Sequence, residues 1–478
     1  MASLPVAGLP GLRPIPLIGP SLALIRVFTD PLRTLPKLYA EHGSIAAMGR
    51  GDATVVCAFG PTYNQQLLPR AQQFEVSTDR PIPLPDNTAL SRLSGNLSRT
   101  NGDAHRRIRR LMMPAFSKTA MSGYHGAMTD VLTTHMSRWR PGETVDLALA
   151  MHRITLDMFS TCLFGVSPEA GHHGEEGLAQ LAAVFLRGMT SPATMLLPVD
   201  LPFLPFGKHM RRCEELELRM QALVAQRRAE GLEGRKDAVS LLLRSCDEDT
   251  EGHTPLDEAE IIANMILLFL AGYETTANGL CGALMLLAQH PERQVELREQ
   301  LDGRFGGGTP SVEELAELPL LGAVVNEALR MLPPVYITLV RRSTAPFRLG
   351  QWELPADAKL VLSPLITHHM PEVWADPKRF SPARFLERKP TPYEFMPFGG
   401  GSRRCIGAAF SDLEMRLGLA MLLQRFSFGL EAGQRIDLQT RAITLGAKGS
   451  VRTRLFAPID QPRRPTSVDG DIQDWVRW

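Results

Sequence analysis

The segment FGGGSRRCIG, Phe398–Gly407, gathers residue types that do chemistry only in combination. Glycines in a row can take positive φ and let backbone approach a flat ligand closely. Cys405 follows Arg403 and Arg404 and precedes a helical stretch opened by Gly407. Backbone N–H donors, a helix start and arginines favour a thiolate. A lone thiolate is a poor structural zinc site, which wants four ligands. It suits the axial position of a haem iron, whose in-plane ligands come from the porphyrin, and Arg403 is placed to meet a propionate. The bland alternative is a glycine-rich turn around a buried free cysteine. Against it, the spacing F-x-x-G-x-R-x-C-x-G is met at all five positions, Phe398, Gly401, Arg403, Cys405 and Gly407. Chance gives that on the order of one time in ten thousand at ordinary residue usage.

A second stretch, IIANMILLFLAGYETTANGLCGALMLLAQ (Ile261–Gln289), is apolar enough to look like a membrane span, yet carries Glu274, Thr275 and Thr276 at its middle. A charge at the centre of a bilayer helix costs about 2.5–3.5 kcal/mol. Asn264 and Asn278 interrupt the run as well, so a helix buried all round inside a large protein explains it better. Further charged groups recur in HRRIRR (His105–Arg110), where His105 and Arg109 are i, i+4 neighbours able to face one anion. By itself that run reads as a solvated basic face.

The elements that must hold these residues are mostly helical. Glu214–Ala229 is charged and amphipathic, and Ser311–Leu318 is a short acidic helix ended by Pro319. Leu320–Leu332 is a second, stopped by Pro333-Pro334, and Leu413–Phe426 follows the cysteine loop with an apolar face. Ser44–Phe59 carries a hairpin signal around Gly49-Arg50-Gly51-Asp52, and Phe347–Leu362 reads as short strands broken at Gly350 and Pro355. The expectation is a mainly α, single large helical domain with small β-sheets over residues 1–478. It has a proline-rich lead-in (1–40) and a polar tail (459–478). The apolar loop 189–206, with four prolines, covers a ligand cavity, touches a membrane surface or is a packed connector; the sequence leaves these open.

Composition excludes several classes. A net charge of +1 gives no reason to expect nucleic acid. The six cysteines (57, 162, 213, 246, 281, 405) show no CxxC, which fits a reducing compartment and inert core thiols apart from Cys405. The lead-in MASLPVAGLPGLRPIPLIGP has neither a charged n-region nor a spanning run, so a cytoplasmic protein without a transmembrane segment is expected.

With these residues in hand, the chain resembles the cytochrome P450 family of haem-thiolate monooxygenases, in its soluble bacterial style. The cysteine segment looks like the family's haem-binding loop, with haem ligation by thiolate. Glu327-Ala-Leu-Arg330 matches E-x-x-R, and Pro382-Ala-Arg384-Phe385 matches P-x-R-F. In the family these form a buried Glu–Arg–Arg cluster holding the cysteine loop. Ala271-Gly-Tyr-Glu-Thr-Thr276 matches the segment over the distal face. There the resemblance implies that Gly272 allows close approach to haem and oxygen, Thr275 hydrogen-bonds dioxygen and Glu274 relays protons. His105 and Arg109 match the H-x-x-x-R pair that binds propionates, and Arg341 corresponds to a further propionate partner, with Arg342 a rival beside it.

The resemblance implies haem b, ligated by Cys405, with dioxygen as co-substrate. It implies a small, largely apolar substrate of terpenoid, fatty acid, steroid or polyketide type. Ala271, Val335, Ile337 and Leu445 would line its pocket, with parts of Phe74–Leu97 and the 189–206 loop. No dinucleotide fingerprint and no iron–sulfur cysteine set is present, so NAD(P)H would act only indirectly, through a reductase with a ferredoxin or flavodoxin. Arg106, Arg107, Arg110 and Arg404 form a candidate basic docking surface for such a donor, and the chain is expected to be a monomer. Two rivals are a peroxide-driven or isomerising haem-thiolate enzyme and a haem- or lipid-binding protein without turnover.

Overall fold

The structure, a computed structural model, describes residues 4–13, 27, 29–78, 87–165, 181, 184, 185, 188, 191, 193, 194, 197–247, 255–458 and 464–478, with side chains of 245–247 excepted. Its axis is the helix Glu258–Gln289, 32 residues long. Asp257 caps its start: the carboxylate accepts from the Glu260 N–H at 2.8 Å, and the Glu260 carboxylate accepts from the Asp257 N–H at 3.1 Å. From Gly279 to Gln289 every side is buried. The helices Leu147–Phe164, Pro319–Met331 and Ala408–Arg425 pack around it.

The polar interruptions of this helix each have a local reason. The Asn264 side chain donates to the Glu260 carbonyl (2.8 Å) and accepts from the Leu97 N–H (2.9 Å), pinning the segment that follows the helix Ala89–Ser94. Asn278 is crossed so closely by the hairpin Asp437–Arg441/Thr444–Lys448 that a Cβ on Gly446 would sit 2.5 Å from its Oδ1. Among the described helices only Leu147–Phe164 has the length and hydropathy of a span, and 56% of it is buried inside the protein.

The hairpin expected at 44–59 forms as Ile45–Gly49 and Asp52–Ala58, in antiparallel register Ile45↔Ala58. It heads a five-stranded sheet continued by Lys359–Leu362 (parallel, Val55↔Lys359), Arg341–Ser343 and Phe74–Val76. Residues 4–13 of the lead-in lie against this sheet: Gly11 bridges to Ala47, and a Cβ there would meet the Ala47 carbonyl at 2.2 Å. The tail docks as well. Val468 pairs with Gln434, and the Trp475 ring meets His369 edge-on at 5.1 Å.

Some boundaries differ from expectation. The helix after the cysteine loop starts at Ala408 rather than Leu413 and is buried on most sides, because it is enclosed by the central helix and Pro319–Met331. Pro319 both ends the short acidic helix and opens the next, whose first turn needs no N–H from it. Part of the 189–206 loop lies outside the described residues. In the part described, Leu197, Val199, Leu201 and Phe203 are 42–69% exposed, so it is no packed connector.

A candidate haem-thiolate active site

Cys405 sits in a loop built by its glycines. Gly399 and Gly401 both take φ near +65°, and a Cβ on Gly401 would lie 1.9 Å from the Leu68 carbonyl oxygen. The Cys405 N–H donates to the Phe398 carbonyl at 2.9 Å, closing the loop. Gly407 meets neither demand: it takes φ −85° as cap of Ala408–Arg425, and a Cβ would make ordinary contacts with Phe116 and Cys405.

The thiol of Cys405 is exposed to contact, yet protein surrounds it so closely that burial dominates its acidity. That combination places it on an internal cleft. Burial pushes the thiol up, and the Gly407 N–H, Arg109 and Arg404 pull it back down. The expectation of a favoured thiolate is therefore corrected: the donors are present, but desolvation outweighs them. A coordinated metal cation removes such a proton outright. Cys57, Cys213 and Cys281 are buried and pushed up to about 12 by burial, Cys162 higher still, and all suit the core. Among the described residues no three His, Cys, Asp or Glu side chains gather as a metal site, so the ligand set there is a single thiol.

Beside the loop, the structure brings together His105, Arg109, Arg341 and Arg403. His105 is 5% exposed on the helix Gly102–Met112 and is pushed down to about 4 by burial, then by Arg403, Arg109 and Arg106. Arg403 is driven to about 10 by burial and by repulsion from Arg341 and Arg109, and Arg341 to about 10 by burial. Arg109 is lowered too, by burial first. Arg403 is anchored by the Leu97 carbonyl (3.2 Å) and the Asn101 side chain. Repelling cations held together in a desolvated place fit a ligand with two carboxylates, as a haem has. Arg341 rather than Arg342 faces this cluster: Arg342 pairs with Glu75 at 3.2 Å and Asp357 at 3.5 Å.

Behind the loop lies the acidic cluster. Glu327 and Arg330 are both fully buried, bonded through two contacts of 2.7 and 2.9 Å, and Arg384 adds a third at 2.9 Å. The Ser381 N–H also donates to Glu327 at 2.9 Å. Sequence reasoning missed His368: its carbonyl accepts from Arg330 (2.8 Å) and its Nε2 accepts from the Met396 N–H (2.9 Å), which joins the cluster to the strand of chain entering the cysteine loop. A buried histidine outside every motif has no sequence signal of its own.

On the other side of the cleft is the turn Ala271–Thr276. The Thr275 hydroxyl donates to the Ala271 carbonyl at 2.8 Å, and that of Thr276 lies 3.1 Å from the Gly272 carbonyl and 3.1 Å from Ser411 on the cysteine helix. Ala271 is exposed in the middle of this otherwise buried helix, which puts it on the cleft. Glu274 points elsewhere, lining a groove of about 480 Å³ with His152, Arg153 and Arg441. Gly272 has a different reason from the one expected: a Cβ would lie 1.9 Å from the Phe159 ring, so the glycine admits a neighbouring helix. Of the expected pocket residues, Ile337 and Leu445 are 0% and 2% exposed and pack into the core, leaving Ala271 and Val335 accessible.

Of the expected basic docking surface, Arg106, Arg110 and Arg404 are exposed, Arg106 in an open pair with Asp103, while Arg107 is bound by Glu260 and the Pro255 carbonyl.

Known proteins share this architecture. The family model described as Cytochrome P450 matches residues 9–450. The cyclooctat-9-en-7-ol 5-monooxygenase of Streptomyces melanosporofaciens is 28% identical over 86% of this chain and 87% of its own. Cyclooctatin synthase from the same organism is 28% identical over 88% and 90%. A retinoic acid-bound cyanobacterial CYP120A1 superposes with a TM-score of 0.79 at 25% identity, covering 95% of this chain and all of that one. The chain belongs to the cytochrome P450 family and is a monooxygenase of it.

Proposed function

We propose that this protein inserts one atom of dioxygen into a largely apolar small molecule of terpenoid, fatty acid, steroid or polyketide type, with Cys405 as the iron ligand. Haem b, when bound, supplies dioxygen binding, electron transfer and O–O cleavage. His105, Arg109, Arg341 and Arg403 would hold its propionates, and Phe398 and Gly407 would flank the thiolate. A relative named for oxygenating cyclooctat-9-en-7-ol supports an apolar substrate with few polar groups.

The observation that carries the reading is the division of labour between adjacent residues on one helix. Glu274 opens on the groove beside His152 and Arg153, where it can exchange protons with water. Thr275 belongs to the turn whose Ala271 faces the cleft, and its hydroxyl is placed to relay a proton inward while the carboxylate itself stays at the groove. Electrons would come from a ferredoxin or flavodoxin and its reductase, which draws on NAD(P)H, docking where Arg110 and Arg404 are exposed. We further propose that the chain works as one domain over 1–478, monomeric and cytoplasmic.

The test is the carbon monoxide difference spectrum of the reduced protein beside Cys405→Ala, followed by turnover with a ferredoxin chain. A strongly red-shifted Soret band lost in the variant, and product formed only with reductant, is the expected result. A histidine-type spectrum in both proteins, or product with peroxide alone, would overturn it.

A further inference from the structure

Glu414 lies on the helix Ala408–Arg425 and is 0% exposed; neither carboxyl oxygen makes a hydrogen bond of good geometry among the described residues, and the Thr276 hydroxyl is the polar group close enough to bear on it. It is one helical turn beyond Ser411, on the same face, and Ser411 is bonded to Thr276. Thr276 is also the hydroxyl that acts on Glu414, and Cys162 of Leu147–Phe164 is the titratable neighbour that feels it. Phe410 and Tyr124, in edge contact at 5.7 Å, belong to the same apolar surround. Among the described residues no cation pairs with it, and a lone buried carboxylate is costly by several kcal/mol. Burial accordingly raises its pKa well above the usual carboxylate range, the Thr276 hydroxyl opposing.

We propose that Glu414 is a positioning residue of the oxygen-side turn: a carboxylic acid that, with Ser411, fixes the Thr276 hydroxyl and thereby the hydroxyl-to-carbonyl bonding of the central helix at Gly272–Thr275. The geometry gives the reason. The Thr276 hydroxyl has one proton and two neighbouring acceptors, the Gly272 carbonyl and Ser411, both at 3.1 Å. A protonated carboxyl beside them is donor and acceptor at once, and it decides which acceptor receives that proton. The Gly272 carbonyl also accepts weakly from Thr275 at 3.4 Å, so the choice is transmitted to the residue proposed to face dioxygen. The inference rests on the monooxygenase reading above.

The experiment is infrared difference spectroscopy of the carbon monoxide complex, before and after photolysis, on wild type, Glu414→Gln and Glu414→Leu holoenzyme. Product formed per NAD(P)H consumed is measured on the same three proteins. The expected result is a protonated-carboxyl band that shifts in deuterium oxide, moves on photolysis and is lost in both variants. Coupling should be kept by the neutral glutamine and fall roughly three- to tenfold in the leucine variant, as for loss of one hydrogen bond. No such band, a band indifferent to photolysis, or a glutamine variant as uncoupled as leucine would each overturn the proposal. Failure to form a thiolate-type carbon monoxide complex at all would instead sink the haem-thiolate reading.

Discussion

His368 bonds two parts of the molecule at once: its carbonyl receives the Arg330 guanidinium at 2.8 Å, and its ring Nε2 receives the Met396 N–H at 2.9 Å. With Nε2 accepting, the ring proton sits on Nδ1 and the imidazole is neutral. The Glu327–Arg330–Arg384 cluster thus reaches the chain entering the cysteine loop through a neutral histidine, beside the packing of Phe385 and Trp374 on Phe395.

His368→Phe fills a similar volume but leaves the buried Met396 N–H without an acceptor, a loss of about 1–3 kcal/mol. Glu327→Ala strands two guanidiniums, one of them fully buried, and should cost roughly 3–5 kcal/mol. Urea unfolding of the haem-free proteins orders the two variants, and the haem-to-protein ratio after purification shows whether the loop is disturbed. A His368→Phe protein with wild-type stability and full haem would remove the histidine from this account.

Acid sensitivity follows from the same region. Burial, then the Arg330 charge, holds His368 well below the ordinary histidine range, and the same causes push His369 down to about 3. Between that value and the unfolded pKa near 6.5 the unfolded chain binds more protons, so stability falls as pH falls. The contribution is intact above pH 6.5. At pH 5 His369 should have cost about 2 kcal/mol, from 1.36 kcal/mol per pH unit, and His368 adds to the loss in the same direction. Urea midpoints from pH 7 to pH 5 measure the slope, and His369→Gln should flatten it by one histidine's share.

The cations at the cysteine side predict effects of opposite sign in two forms of one protein. Arg341 is pushed down to about 10 by burial, and its charge in turn depresses Arg403. Arg341→Gln relieves that repulsion, so the haem-free variant should be as stable as wild type or more so. The holoprotein loses a charge-assisted bond to a propionate, about 1.5–3 kcal/mol, or roughly ten- to a hundredfold in haem retention. Haem transfer to apomyoglobin reads retention, and thermal unfolding of the haem-free form reads the other arm. A variant destabilised equally in both forms would mean that Arg341 is structural only.

What could be read from the sequence was whatever depends on spacing along one element. Cys405 with its glycines, the E-x-x-R pair and the acid–hydroxyl turn all keep their distances by helix or loop geometry, so the residues named the chemistry and the element types together. Contacts across the chain were silent. His368 and Glu414 carry no pattern, since their meaning comes from partners 28 residues or more away, such as Met396 and Thr276. Position by resemblance did not decide burial either: Ile337 is expected to line the pocket with Val335, but its side chain packs into the core. The exposure of Phe203 and its neighbours likewise depends on what the chain lays over them, which composition cannot state.

Gly272 shows how a residue inside a motif can have a reason outside it. Its missing Cβ would lie 1.9 Å from the Phe159 ring, closer than any side chain tolerates, so the ring from Leu147–Phe164 packs directly on the Gly272 backbone of the central helix. Phe159 also touches Phe269 at 5.8 Å and Phe410 at 6.0 Å, and cannot swing away freely. Gly272→Ala should therefore cost about 1–3 kcal/mol by overpacking. Phe159→Leu on that background should recover part of the loss, because the shorter side chain vacates the space. Double-mutant unfolding gives the coupling directly: a favourable interaction between the two substitutions supports packing as the reason for the glycine. Additive losses, with substrate turnover impaired as severely in the double variant as in Gly272→Ala, would return the reason to the cleft side of the helix.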